Sequence, residues 1–147
     1  MIAAVDTNIL LDILLPDKSF CRSSKKILDA YNEMGRLVIC EIVVAELAGR
    51  FPSSQDLQGF LENSRILLLP TDRKALHLAG AAWRAYTDNP DRAACPHCGG
   101  TISRRHRIIP DFLIGAHAFV QADVLLTRDR GFYRTFFKDL RVESGMA

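Results

Sequence analysis

Four acidic residues in this chain fall where a parallel α/β fold would bring them together: Asp6, Glu46, Asp111 and Asp129. Asp6 and Asp129 each come just past the end of a short apolar run, Ile2-Ala3-Ala4-Val5 and Val124-Leu125-Leu126-Thr127. Runs of that kind read as strands buried on both faces, as in a parallel sheet. Glu46 belongs to the helix expected after the second strand, and Asp111 to the first turn of the helix expected before the fourth. In open α/β sheets ligands bind just beyond the carboxyl ends of the strands. If the first and fourth strands are neighbours, all four acids point into one cleft. Carboxylates crowded in that way cannot all ionise without a cation. Hard divalent ions such as Mg²⁺ or Mn²⁺ take such oxygen ligands and keep several waters. One ion can generate a hydroxide nucleophile against a phosphodiester, and a second, about 4 Å away, can stabilise the leaving oxygen. Asn8 and Thr127 are polar neighbours able to orient ligands or the attacking water. Taken alone, Asp6 reads equally well as an N-cap of the helix that follows it, and Glu46 as a solvated residue on the border of an apolar face.

The elements that must position these residues follow from the apolar pattern. A helix over Ile9–Leu15 and a loop at Pro16-Asp17-Lys18-Ser19 come first. A helix from Phe20 to Glu33 then buries Ile27, Leu28 and Tyr31 and stops at Gly35. Leu37–Cys40 is the second strand, and Ile42–Phe51 a helix with Val43, Val44, Leu47 and Phe51 at helical spacing. Pro52-Ser53-Ser54 breaks the chain before a helix over Gln55–Asn63, with Leu57, Phe60 and Leu61 inside. Arg65–Leu69 is the third strand. Thr71 or Asp72 caps a helix to Tyr86 that buries Leu76, Ala79, Ala82 and Trp83 or Tyr86. Pro110 opens a helix to Gln121, where Asp111, Ile114, Gly115 and Ala118 share a face and the small residues let the helix approach the sheet. Gly131–Phe137 is a short helix or loop, and Leu140–Val142 a short fifth strand. Strands alternating with helices imply right-handed βαβ units. The expected class is α/β, three layers with a mainly parallel central sheet, and residues 1–147 form a single domain.

One segment interrupts the rhythm. Residues 88–108 are polar, contain Pro90 and Pro96, hold Cys95-Pro96-His97-Cys98-Gly99-Gly100, and end in Arg104-Arg105-His106-Arg107. A loop of that length within a small domain is a functional segment or a disordered one. Cys95 and Cys98 make half of a four-ligand zinc site; His97, His106, Cys21, Cys40 or a second subunit would have to complete it. A tight turn with two thiols is the other reading. Arg104, Arg105, Arg107, Arg128, Arg130 and Arg134 are close in sequence to Asp111 or Asp129. Such a rim could hold nucleic-acid phosphates, or be an ordinary solvated surface. His117 follows Asp111 by about one and a half turns, on the other side of that helix, and reads as a packing or surface residue.

Composition sets outer limits. An apolar content of 48% with 24% charge is that of an ordinary globular domain. No apolar stretch reaches the roughly 18 residues of a membrane span. A strand beginning at residue 2 leaves no room for a secretory or transit peptide, so a cytoplasmic protein with reduced thiols is expected. A net charge of +2 is too mild to name a partner.

Asp6-Thr7-Asn8 after an apolar strand, Val44-Ala45-Glu46-Leu47, Asp111-Phe112-Leu113-Ile114-Gly115-Ala116 and Leu126-Thr127-Arg128-Asp129-Arg130-Gly131-Phe132 resemble, in order and spacing, the PIN domain. More narrowly they resemble the VapC-type toxins of toxin–antitoxin pairs. The cysteine-containing segment is a departure from the core family. The resemblance implies a three-layer fold, Mg²⁺- or Mn²⁺-dependent endoribonuclease activity, homodimerisation and inhibition by a small antitoxin. It also implies that Asp6, Glu46, Asp111 and Asp129 hold the metal and the water, with Asn8 and Thr127 in support. A phosphatase of the haloacid dehalogenase type would need a second Asp where Asn8 stands. A catalytically silent PIN fold that only binds nucleic acid or a partner would be expected to lose acids, and all four are present here. A DNA-directed enzyme stays open, because nothing in the sequence reads a 2′-hydroxyl.

Overall fold

The computed structural model describes residues 1–15, 18–88 and 109–145. Its elements run β1 (Ile2–Val5), α1 (Thr7–Leu14), α2 (Cys21–Met34), β2 (Arg36–Ile39), α3 (Glu41–Ala48), α4 (Ser54–Asn63), β3 (Ile66–Leu68), α5 (Arg73–Asp88), α6 (Ile109–Gln121), β4 (Val124–Leu126), α7 (Arg130–Phe136) and β5 (Val142–Glu143). The strands order as β3-β2-β1-β4-β5, every pair parallel. Ala4 is registered against Val38 on one side and Leu125 on the other. β1 is thus the centre of the sheet. The chain steps outward from it in one direction through β2 and β3, then returns to its other side for β4 and β5. That reversal creates the crevice in which such sheets bind ligands.

The central strands β1 and β4 form because their apolar runs are buried on both faces, whereas Leu67 and Leu68 of β3 are exposed at the sheet edge. Ala3, Ala4, Val5, Val124, Leu125 and Leu126 are all inaccessible. Helices cover both sides in three layers. α1 packs on α2, α2 on β2, and α6 lies over β1 and β4 while also packing along α5. Gly35 ends α2 because of space: a Cβ there would stand 2.0 Å from the Met1 carbonyl oxygen. Among the described residues no helix is long and apolar enough to cross a membrane.

Three expectations need correction. Leu76, expected inside, is 46% exposed, and α5 buries Ala75 and Ala79 instead. α5 packs along α6, and near its C-terminal end Tyr86 meets Phe112 with ring centroids 5.6 Å apart. Gly115 is expected to ease the approach of its helix to the sheet; the atoms nearest an added Cβ there belong to the Phe137 ring, at 2.4 Å. α3 stops at Ala48, short of Phe51, because Gly49 and Pro52 follow; Phe51 stacks instead on Phe60 with ring centroids 5.6 Å apart. The proposed knuckle of Cys95 and Cys98, its neighbours His97 and His106, and Arg104, Arg105 and Arg107 lie outside the described residues.

Candidate active site

The carboxyl ends of β1 and β4 open into a cavity of about 380 Å³, lined by Asp6, Thr7, Asn8, Leu11, Glu46, Arg50, Asp111 and Asp129. All four acids expected to share a cleft therefore do.

Asp6 is at its floor. The residue takes the N-cap position of α1, yet its side chain makes no cap hydrogen bond. Its backbone N–H instead donates to the Leu126 carbonyl at 3.0 Å, extending the β1–β4 ladder by one residue. The carboxylate is 5% exposed. Its Oδ2 accepts from Thr127 Oγ1 at 2.6 Å, from Asn8 Nδ2 at 2.8 Å and, at greater length, from the Tyr133 hydroxyl at 3.4 Å. Burial pushes the Asp6 carboxyl up to about pKa 6; the Thr127 hydrogen bond opposes this, while the negative charges of Asp111 and Glu46 add to it.

Thr127 and Asn8 hold this floor together. The Thr127 hydroxyl donates to Asp6 and accepts from the Asp129 N–H and from Asn8 Nδ2, each at 3.0 Å, which uses its whole hydrogen-bonding capacity. The Asn8 carbonyl accepts from the Arg128 N–H at 3.1 Å. With its amide bonded to Asp6 and Thr127, only one orientation of that side chain satisfies all its partners.

The other three acids are exposed, each at a different element end. Asp111 is in the first turn of α6. Asp129 is the N-cap of α7, accepting from the Phe132 N–H at 3.2 Å. Glu46, near the end of α3, accepts a short hydrogen bond from the Thr7 hydroxyl. Among the described residues no three His, Cys, Asp or Glu side chains already converge as a coordination cluster. The acids face a common space instead of gripping a point. The donor chemistry nevertheless fits a hard divalent cation: oxygen ligands, and a desolvated carboxylate burdened by two like charges that a cation would relieve.

Sequence reasoning passed over Tyr133 and Arg50. Each follows a recognised acid by four residues, Asp129 and Glu46 respectively, and so by about one helical turn. The i+4 positions of site residues were the available signal. Burial, with the Asp6 charge beside it, holds the Tyr133 phenol far above its ordinary range, so it is always a donor. Arg128, expected to be available for phosphate, has its Nε 3.1 Å from Asp12 Oδ2 and its guanidinium 4.5 Å above the Phe20 ring. Arg130, half-buried, is the first residue of α7, and Arg134 is exposed in its last turn. His117 is buried on α6 away from the cavity, as expected of a packing residue.

No curated protein matches the chain. Solved structures do. VapBC2 from Rickettsia felis bound to a DNA fragment from its promoter shares 22% identity over 98% of both chains, with a TM-score of 0.64. A toxin–antitoxin complex from Klebsiella pneumoniae shares 21% identity over 97% of both, with a TM-score of 0.63. FitAB bound to the IR36 DNA fragment shares 20% identity over 99% of this chain and 95% of that one, with a TM-score of 0.58. Identities this low speak for the fold. The model of the PIN domain, however, matches residues 3–138, from the strand that delivers Asp6 to the helix that Asp129 caps, and on that match the chain belongs to the PIN domain family.

Proposed function

We propose that this protein is a divalent-metal-dependent endoribonuclease and the toxin of a toxin–antitoxin pair. The observation that carries the reading is the buried Asp6 at the β1–β4 crevice, facing three further carboxylates across one cavity. Asp6, Glu46, Asp111 and Asp129 would hold Mg²⁺ or Mn²⁺. When bound, such an ion supplies Lewis acidity and neutralises charge on a phosphodiester during hydrolysis. The chain's own residues do the rest. Asn8 and Thr127 lock the Asp6 carboxylate in place. Arg50 brings a positive charge to the cavity wall, where a phosphate would enter. Arg130, with Arg104, Arg105 and Arg107, would extend that basic path along the RNA. Cys95 and Cys98 are proposed as ligands of a zinc knuckle outside the catalytic chemistry.

A small antitoxin as partner and a homodimeric assembly in the cytoplasm complete the proposal. It is supported by the likeness to a toxin–antitoxin complex and to VapBC2 and FitAB along nearly the whole chain.

The deciding experiment incubates the purified protein with a cellular RNA pool in Mg²⁺, Mn²⁺ or EDTA and maps the cut ends, with single-stranded DNA in parallel. RNA should be cut at defined positions with either metal and left whole in EDTA. Cleavage indifferent to EDTA would remove the metal from the mechanism. Cleavage of DNA alone would transfer the activity to a DNA-directed enzyme, and cleavage of neither would leave a silent nucleic-acid-binding fold.

A further inference from the structure

Thr127, Arg128 and Asp129 form the short link between β4 and α7. Its two outer members belong to the candidate site. Its middle member does not line the cavity, and its contacts run the other way. The Arg128 backbone N–H donates to Asn8 Oδ1, while its guanidinium reaches Asp12, one turn further along α1. Asn8 and Asp12 are i and i+4 on that helix, so they share a face; Asn8 holds the Arg128 backbone by a hydrogen bond, and Asp12 holds its Nε by charge at 3.1 Å without hydrogen-bond geometry. Asp12 is 3% exposed and accepts from the buried Ser24 hydroxyl at 2.6 Å, which ties α2 into the same cluster. Phe20 lies beneath the guanidinium plane and completes its seat.

A buried carboxylate needs a cationic partner, but a buried pair is a poor way to gain stability, because desolvation offsets most of the attraction. The pair's location suggests another use. From the geometry we infer that Arg128 is a positioning residue: it straps the β4–α7 link to α1, so that Thr127 Oγ1 and the Asp129 carboxylate keep their places relative to Asp6. Thr127 is fully committed between Asp6 and the Asp129 N–H. A shift of the link therefore moves two site residues at once. The inference rests on the nuclease reading for its functional consequence, though not for the strap itself.

The test uses Arg128→Ala, Arg128→Lys and Asp12→Asn in the full chain, each checked for folding by circular dichroism. Hydrogen exchange at the Asp129 amide reads the strap directly. It should speed up about tenfold or more in Arg128→Ala, with the β1 amides unchanged. On RNA, kcat should fall about 100-fold, the scale of a misplaced catalytic group, while KM and the salt dependence of KM stay as in the wild type. Asp12→Asn should reproduce the kcat loss, and Arg128→Lys should restore part of it, keeping the charge but not the planar stack. If Arg128→Ala fails to fold, the other two variants carry the same readings. A raised KM with a shallower salt dependence would make Arg128 a phosphate contact and overturn the proposal. Unchanged Asp129 exchange, or lower melting temperature with unchanged kcat, would also overturn it. A wild type that cuts no RNA would defeat the nuclease reading while the amide exchange still reports on the strap.

Discussion

The two sides of the cleft are built by opposite means. On one side Asp6, Thr127 and Tyr133 are buried, and with the half-buried Asn8 they form a closed set of side-chain hydrogen bonds. On the other side Glu46, Asp111 and Asp129 are exposed, each placed by the end of its own helix. Water stabilises the exposed carboxylates, so their charges cost little. Asp6 has lost that solvation and meets the field of two of its partners, so the burden of ionisation falls on it. The protein fixes geometry where water is excluded and places charge where water is present. A cation bound between the two sides would hold the exposed acids in register with the buried one.

Substitution of single acids tests that division most severely. Asp6→Asn should lower RNA cleavage by about 1000-fold or more, roughly 4 kcal/mol of transition-state stabilisation. The fold should be retained, because the Asn carbonyl can accept from Thr127 and Asn8 as the carboxylate does. Glu46→Gln, Asp111→Asn and Asp129→Asn should each lower cleavage by about 100-fold. Their melting temperatures should barely move, since exposed substitutions usually stay within about 0.5 kcal/mol and Asn still caps α7. Steady-state cleavage and thermal unfolding of the four variants check this. Equal losses at all four positions would erase the distinction between the two sides.

How much of this was written in the chain depends on the range of each interaction. The strands were legible because β1 and β4 are apolar runs buried on both faces. The meeting of the four acids was legible because it needs only β1 beside β4 and a helix on each neighbouring strand. What escaped depends on which distant side chain fills a particular space. Ala75 in place of Leu76 on the buried face of α5, Phe137 against Gly115, and Asp12 as the partner of Arg128 are all of this kind. So is Tyr133, which reaches Asp6 from 127 residues away. Apolar periodicity tells which way a residue faces, and these pairings require knowing what it faces.

The ionisation of Asp6 gives a second, smaller test, made on the metal-free protein. Its pKa is about 6 in the fold against an ordinary 3.8. Because the folded value is the higher, the contribution to stability is complete below about pH 4. It is lost as the pH rises to about 6 and stays lost above that. The loss is on the order of 3 kcal/mol. Asp6→Asn has no such group. The wild type and the variant should therefore diverge across this window, with the variant the more stable at pH 7. Denaturant unfolding between pH 4 and 8 measures the difference, in which all shared titrations cancel. Parallel curves would mean that Asp6 is better solvated than its burial suggests. Added Mg²⁺ should raise the stability of the wild type far more at pH 7 than at pH 4, because it binds the ionised form.

The smallest effect is expected at Tyr133, and it separates hydrogen bonding from packing within the buried side. The ring is enclosed and sits edge-on to Phe132, with centroids 5.1 Å apart. Tyr133→Phe keeps that contact and removes only the hydroxyl. The lost bond is long, 3.4 Å, beyond the usual range for an O–H donor, and Asp6 Oδ2 retains Thr127 and Asn8. A loss of about 1 kcal/mol or less from the ionised carboxylate follows. That is a two- to fivefold fall in cleavage at the acidic end of the profile. Removing a donor from a carboxylate favours its neutral form, so the acid limb of kcat/KM against pH should move upward by some tenths of a pH unit. At pH 8, where Asp6 is ionised in both proteins, the two rates should converge. A uniform loss at every pH would instead mean that the hydroxyl matters to ring placement. An unchanged profile would assign Tyr133 to the core alone.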